Sequence, residues 1–108
     1  MKTKEKLMAT KNNPSRTGDI AEFYAVTWLW DNGYEVYQNA GCTGSVDIIA
    51  VKNGMPVFID VKSKDSDLNW GHKRTELQKK LRVQLVEFNA KTRKCRFVEH
   101  KEIIREAS

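Results

Sequence analysis

A chain of 108 residues is long enough for one hydrophobic core but not for two, so we expect a single domain. With 40% hydrophobic residues the sequence is too apolar to be disordered, yet no run approaches the roughly 18 apolar residues that a membrane span requires. The formal net charge of +5, from 19 basic and 14 acidic residues, favours a polyanionic partner over a membrane or a basic substrate.

The N-terminal residues 1–14 are polar and lysine-rich and end in Asn-Asn-Pro, which is typical of a basic arm that either touches a phosphate backbone or has no task. They lack the apolar stretch of a secretory signal, so we expect an intracellular protein of the cytoplasm or nucleoid, with a virus-encoded origin as an alternative. Cys42 and Cys95 lie far apart without a CxxC motif, which argues against a zinc site or a disulfide framework. The expected folded domain covers residues 15–108.

The first expected element is a helix that Ser15 or Thr17 caps and Gly33 ends. At 100° per residue one face of this helix is expected to point to the core, with Phe23 and Trp30 on its flank. That face carries Gly18, Glu22, Ala25, Val26 and Leu29.

A strand over residues 34–38 follows, and then two apolar runs, 46–51 and 57–62, flank an Asn-Gly pair at Asn53, the strongest short signal for a β-hairpin. Thr75 opens a capping box for a second helix, with an apolar face made by residues 77, 81, 85 and 88. A strand over 95–99 and a short helix over 102–106 complete the chain. The predicted fold class is α/β, in the order α-β-β-β-α-β, with a mixed β-sheet flanked by helices.

The hairpin turn brings two acids together. A symmetric turn centred on Asn53-Gly54 pairs residues whose numbers sum to 107, so Asp47 is expected opposite Asp60, with Cβ atoms roughly 5 Å apart. Lys62 lies on the same face, two residues after Asp60. Both faces of the hairpin are apolar, so we expect the two acids to be partly dehydrated and to need a cation. A structural ion pair with Lys62 is the alternative, but with Glu22 added it leaves three negative charges against one positive charge. Oxygen ligands of this kind suit Mg²⁺, or Mn²⁺ in its place.

The segments GDIAEFYAVTWLWDNGYEV, GSVDIIAV and VFIDVKSK resemble the PD-(D/E)xK nuclease superfamily, above all the archaeal Holliday-junction resolvases and small virus-encoded relatives. The resemblance covers roughly residues 16–98 and implies a restriction-endonuclease-like fold. It places the family's acids on Asp47, Asp60 and Glu22 and its lysine on Lys62. Relatives often carry Glu at the position of Asp60. Many relatives also carry a polar residue on the second helix, and both Gln78 and Gln84 fit that position.

Residues and resemblance together indicate a metal-dependent DNA endonuclease that selects substrates by structure. The expected metal ligands are Asp47, Asp60, the backbone carbonyl of Val61, and Glu22 directly or through water, while Lys62 orients the nucleophile. We expect branched DNA as substrate, a homodimer because symmetric cutting needs two sites, and no organic cofactor. The alternatives are a nuclease acting on flaps, nicks or plain duplex DNA, and a non-catalytic nucleic-acid-binding module of the same fold.

Basic residues near the proposed site in sequence are candidates for phosphate contacts without base readout. They are Arg16, Lys64, Lys73, Arg74, Lys79, Lys80 and Arg82. Trp28 and Trp30 are expected to pack the first helix, which leaves Trp70 as the tryptophan most suited to stack on bases. His72 and His100 have no partners at ligand spacing, so neither is expected to be catalytic.

Overall fold

The computed structural model describes residues 14–41, 43–64 and 73–99. Along this part of the chain, helix α1 (Pro14–Asp31) precedes strands β1 (Glu35–Gln38), β2 (Ile48–Lys52) and β3 (Met55–Lys64), and helix α2 (Glu76–Lys80) precedes strands β4 (Gln84–Asn89) and β5 (Lys94–Val98). Residues 1–13 of the basic arm, Cys42, Trp70, His72, His100 and the short helix expected over 102–106 lie outside the described residues. Pro14 is already helical, so the prediction that Ser15 or Thr17 caps α1 is wrong. No helix in the described ranges is both long and apolar enough to cross a bilayer.

The five strands form one mixed sheet in the order β1-β2-β3-β4-β5. β2 is antiparallel to both of its neighbours, β1 and β3, whereas β4 runs parallel to β3 and β5 is antiparallel to β4. The parallel pair is made possible by α2, which lies in the crossover between β3 and β4. This mixed sheet with its helices confirms the predicted fold class.

Helix α1 packs on one face of the sheet and forms the core with it. Its fully buried Ala25 and Leu29 belong to the same apolar cluster as Ile48, Ile59 and Val86 of the three central strands. The helix ends as predicted, because Gly33 adopts the left-handed φ of 86° that residues with a Cβ atom avoid. The backbone nitrogens of Gly33 and Tyr34 then donate to the last carbonyls of the helix.

The β2–β3 hairpin has the predicted turn. Asn53 and Gly54 have φ angles of 55° and 76°, as a two-residue type I′ turn requires at both central positions. Lys52 therefore pairs with Met55, and Ile48 pairs with Ile59, so paired numbers sum to 107 along the hairpin. The register inferred from the sequence is confirmed.

The second helix is much shorter than predicted. The capping box at Thr75 is present, but the helix ends at Lys80, because Arg82 takes a left-handed φ of 57° and Val83 donates to the carbonyl of Gln78. This is a Schellman ending with Arg in the position that Gly usually occupies, so no stop signal is visible in the sequence. Leu85 and Phe88, predicted on a helix face, belong instead to β4, which is buried on both faces.

The aromatic residues of α1 divide between core and surface. Trp28 packs against the core and contacts the ring of Phe97, as expected. Trp30 is 60% exposed, so the prediction that it packs the helix is wrong. Phe23 is 69% exposed, on the outer side of the helix. Both point away from the sheet because the core-facing stripe is filled by small and branched residues.

Candidate active site

The β2–β3 hairpin brings Asp47 close to β3 near Asp60. The regular register ends at the pair Ile48–Ile59, and the Asp47 nitrogen donates to the Ile59 carbonyl over 2.8 Å, so Asp47 is hydrogen-bonded to β3 without being directly paired with Asp60 as the turn predicted. The Asp47 Oδ2 atom accepts a 2.7 Å hydrogen bond from the nitrogen of Val61, the residue after Asp60, and Asp60 is near enough to raise the pKa of Asp47. The two carboxylates therefore share one site.

Asp60 is buried, with 8% of its surface exposed, and its Oδ2 atom has two partners. The Lys62 Nζ atom lies 3.2 Å from it, and the Gln78 Nε2 atom donates to it over 2.9 Å. Lys62 is much more exposed than Asp60, so its ammonium reaches both the carboxylate and the solvent from which a substrate would arrive. The Asp-x-Lys spacing of strand β3 thus gives a charge-assisted pair on one face.

Gln78 is the polar residue of the second helix that joins the site, which the sequence left open between Gln78 and Gln84. The Gln78 Oε1 atom accepts from the Thr75 nitrogen, and its Nε2 atom donates to the Ser45 carbonyl as well as to Asp60. Gln84 pairs with Ile59 in the parallel register, so it lies on the α1 face of the sheet, opposite the face of Asp60.

The shared site holds Asp47 in a state that resists ionisation. Burial and the hydrogen bond with Asp60 raise the pKa of Asp47 to about 7, against the opposing effect of the Val61 amide. The negative charges of Asp60 and Glu22 act in the same direction as burial. A dehydrated pair of carboxyl groups of this kind binds a proton or a metal cation more readily than either group would alone.

Glu22 lies at the edge of the site. It is partly buried on α1, as the helical stripe predicted, and its Oε1 atom is 3.4 Å from Gln38 Nε2. The negative charge of Glu22 contributes to the raised pKa of Asp47. The described residues nevertheless contain no group of three or more His, Cys, Asp or Glu side chains arranged to hold a metal. A direct carboxylate contact from Glu22 to a shared cation is therefore not present in this arrangement.

The donor set nevertheless suits a hard divalent cation. Mg²⁺ is commonly bound by one or two carboxylates and several waters, and does not need a third acidic side chain. Asp47 and Asp60 supply two carboxylates at one point, with their like charges only partly offset by Lys62. The residues present therefore fit Mg²⁺ or Mn²⁺.

A second charged group, which the sequence analysis did not single out, lies next to the site on the same face. Glu87 of β4 is buried at 2% exposure, and its Oε1 atom is 3.2 Å from Lys64 Nζ and 3.0 Å from Arg96 Nε. Burial raises the pKa of Glu87, but the hydrogen bonds and charges of Lys64 and Arg96 outweigh burial and hold that pKa below its ordinary value. The sequence does not indicate the burial of Glu87, because a single Glu in an apolar run is also what the polar side of a helix would show.

The basic residues proposed to bind DNA fall into two groups. Lys64 pairs with buried Glu87, and Arg74 is itself buried and donates to the Val83 carbonyl, so both depart from the expected surface position. The others are exposed near the start of α1 or around α2. These are Arg16, Lys73, Lys79, Lys80 and Arg82.

A mixed sheet carrying α1 on one face, with Asp47 and the Asp60-x-Lys62 pair at one end, defines a restriction-endonuclease-like fold. The model of the family described as "Uncharacterised protein family UPF0102" matches residues 21–98, and the chain belongs to that family. A UPF0102 protein of Syntrophus aciditrophicus (strain SB) is 43% identical over 54 residues, which are 48% of this chain. The match spans 42% of that relative's length.

Among solved structures, the fold is similar to that of a bacterial homing endonuclease, I-Ssp6803I, with a TM-score of 0.59 and 18% sequence identity. The similarity covers 80% of this chain and 64% of the endonuclease chain. At this level of identity the comparison establishes a shared nuclease-type fold.

Proposed function

We propose that this protein is a divalent-metal-dependent endonuclease that hydrolyses phosphodiester bonds in DNA. The observation that carries the proposal is the placement of Asp47 beside buried Asp60 with Lys62 ion-paired at 3.2 Å, at one accessible end of the sheet. The nuclease-type fold and the excess of basic over acidic residues support the same conclusion.

Mg²⁺ or Mn²⁺ would be held by Asp47 and Asp60, with the Val61 carbonyl as a further ligand and Glu22 acting through water. When bound, the metal supplies a water of lowered pKa and offsets charge on the scissile phosphate. The protein's own part is to hold the ligands in place. The Val61 amide fixes Asp47, and the Gln78 amide fixes Asp60.

We assign to Lys62 the role of orienting the water that acts as nucleophile. Its ammonium is tied to Asp60 at one side and exposed at the other, so it can orient a water against the phosphate. The same charge stabilises the extra negative charge that the phosphate gains in the transition state. Because Lys64 is occupied by Glu87, Lys62 is the lysine of β3 whose charge is directed at the carboxylate pair.

We further propose that DNA structure, and not base sequence, selects the substrate, with a four-way junction as the first candidate. The exposed basic residues around α2 would bind phosphates, which carry no sequence information. Lys79 and Arg82 are examples of such exposed positions. Symmetric cutting of a junction requires two active sites, so the proposed working form is a homodimer. Sedimentation equilibrium with and without junction DNA tests the dimer.

The experiment compares fluorescent junction, flap, nicked and duplex DNA with and without Mg²⁺ or Mn²⁺. Asp47→Ala, Asp60→Ala and Lys62→Ala should each reduce the cleavage rate by roughly a hundredfold or more, while leaving most of the DNA binding. Asp31→Ala, which removes an exposed acid at the far end of α1, is the matched control and should cleave normally. Binding to DNA without metal-dependent cleavage of any substrate would show a non-catalytic binding module instead.

A further inference from the structure

The sheet face that carries the carboxylate pair is apolar immediately beside it. Tyr37 of β1 is paired with Ile49 of β2, which is paired with Phe58 of β3. Ile49 is two residues after Asp47, so this cross-strand row shares the face of the carboxylates. We call these three residues the apolar row. Two residues along a strand correspond to about 7 Å, the rise of roughly two stacked nucleotides at 3.4 Å each.

The apolar row is open, unlike the opposite face that α1 covers. Tyr37 is 53% exposed and Ile49 is 36% exposed. A cavity of about 190 Å³, mostly apolar in lining, runs from these two side chains to Asp47. An exposed aromatic ring and an aliphatic side chain are thus continuous with the proposed reaction centre.

The ring of Tyr37 is held in place. Its hydroxyl donates a hydrogen bond to Glu35, two residues back on the same face of β1. This bond restrains the ring along the strand and leaves its π-face available. A contact made by a side chain that is already ordered loses less conformational entropy on binding than one made by a free side chain.

We propose that the apolar row receives an unpaired nucleobase within one or two nucleotides of the scissile phosphate, with the base stacked on Tyr37. The inference rests on the proposed nuclease function, which places the phosphate at Asp47, Asp60 and Lys62. Duplex DNA presents phosphates and groove edges, which are bound by cations and hydrogen-bonding groups, and its base faces are already stacked. A base that has left the duplex exposes the π-face that an aromatic side chain accepts.

The consequence for specificity is that the favoured substrate is unpaired at the cut. A flap, or a branch point whose bases have opened, should be bound and cleaved in preference to continuous duplex DNA. The stacking contact is tolerant of sequence because every base has a π-face. Selectivity for structure without selectivity for sequence follows from the same contact.

The test uses DNA carrying the fluorescent base 2-aminopurine next to the expected cut, as a flap and as a duplex, without divalent metal so that no cleavage occurs. Stacking on an aromatic ring quenches this fluorophore. The wild-type protein and Tyr37→Phe should quench it in the flap, whereas Tyr37→Ala should not. Tyr37→Ala should also bind the flap roughly 5- to 150-fold more weakly, with duplex binding unchanged.

Trp30→Ala is the matched control, because it removes an aromatic side chain of similar exposure from the outer side of α1. It should behave as wild type in quenching. Circular dichroism melts confirm that each variant is folded. Equal flap binding by Tyr37→Ala and the wild type, or no quenching by the wild type, overturns the proposal.

The experiments distinguish a failure of the stacking proposal from a failure of the nuclease proposal. Quenching without any metal-dependent cleavage would keep the stacking site and remove the nuclease assignment. Cleavage of flap and duplex DNA at equal rates, with no quenching, would keep the nuclease assignment and remove the stacking site. Absence of all DNA binding overturns both.

Discussion

Gln78 connects a helix cap to the proposed metal-binding carboxylate, so its replacement should cost more than either contact alone. The side chain is buried, with 6% exposed, and its amide has three partners. These are the Asp60 carboxylate at 2.9 Å, the Ser45 carbonyl at 3.0 Å and the Thr75 nitrogen at 3.0 Å. Gln78→Leu preserves approximate volume and removes all three hydrogen bonds.

The expected loss follows from those contacts. A hydrogen bond to a charged group contributes about 1.5–3 kcal/mol and a neutral one about 0.5–1.5 kcal/mol, and burial of the leucine side chain offsets part of the sum. We therefore expect Gln78→Leu to lower the free energy of unfolding by about 3 kcal/mol. Thr75→Ala removes only the side-chain cap of the same helix and should cost about 1 kcal/mol.

Urea unfolding followed by circular dichroism measures the difference. With a slope of about 1–3 kcal/mol per molar urea, the midpoint of Gln78→Leu should fall by roughly 1–3 M. Gln78→Glu keeps an acceptor for the Thr75 nitrogen but places a second carboxylate against Asp60. It should be least stable near neutral pH and recover on acidification. Equal losses for Gln78→Leu and Thr75→Ala, within about 0.5 kcal/mol, would refute the assignment of Gln78 to the site.

The remaining predictions concern charge and backbone geometry. The lowered pKa of Glu87 stabilises the fold above the ordinary Glu pKa, and this stabilisation is lost as pH falls through the folded-state pKa. Urea midpoints across acidic pH should therefore fall more steeply for the wild type than for Glu87→Gln. The raised pKa of Asp47, about 7, has the opposite sign, since ionisation in the folded state costs stability as pH rises from about 4 to about 7. In EDTA above that range, Asp47→Asn should be more stable than the wild type by on the order of 1 kcal/mol, after discounting for solvent screening, and an unchanged or lower midpoint would contradict this. Gly54→Ala should cost about 1 kcal/mol in thermal unfolding because of the left-handed φ of 76°, whereas Met55→Ala beside it should be nearly neutral.

Local chemistry determined those parts of the protein that depend on neighbours in the chain. The Asn-Gly turn requires two left-handed residues, and this requirement alone fixed the β2–β3 register from Lys52–Met55 to Ile48–Ile59. The expected Asp47–Asp60 pair lies just beyond that register. The end of α1 at Gly33 and the capping box at Thr75 were equally visible. In each case a short-range preference and the final fold agree.

Only the tertiary structure decided the identity of β4. The run from Gln84 to Asn89 is buried on both faces because β4 lies inside the sheet, and such a run carries no period that separates strand from helix. The preceding helix ends at Lys80 through the left-handed Arg82, a residue type with no special preference for that conformation, so the boundary was not visible in the sequence.

The choice of Gln78 over Gln84, and the burial of Glu87 with Lys64, followed from the placement of β4. Once β4 lies parallel to β3, Gln84 is turned to the α1 face, while Gln78 on α2, just before β4, contacts Asp60. These contacts join residues far apart in the chain, and their geometry exists only after the strands have paired. The sequence determined which groups could do the chemistry, and the sheet determined which of them meet.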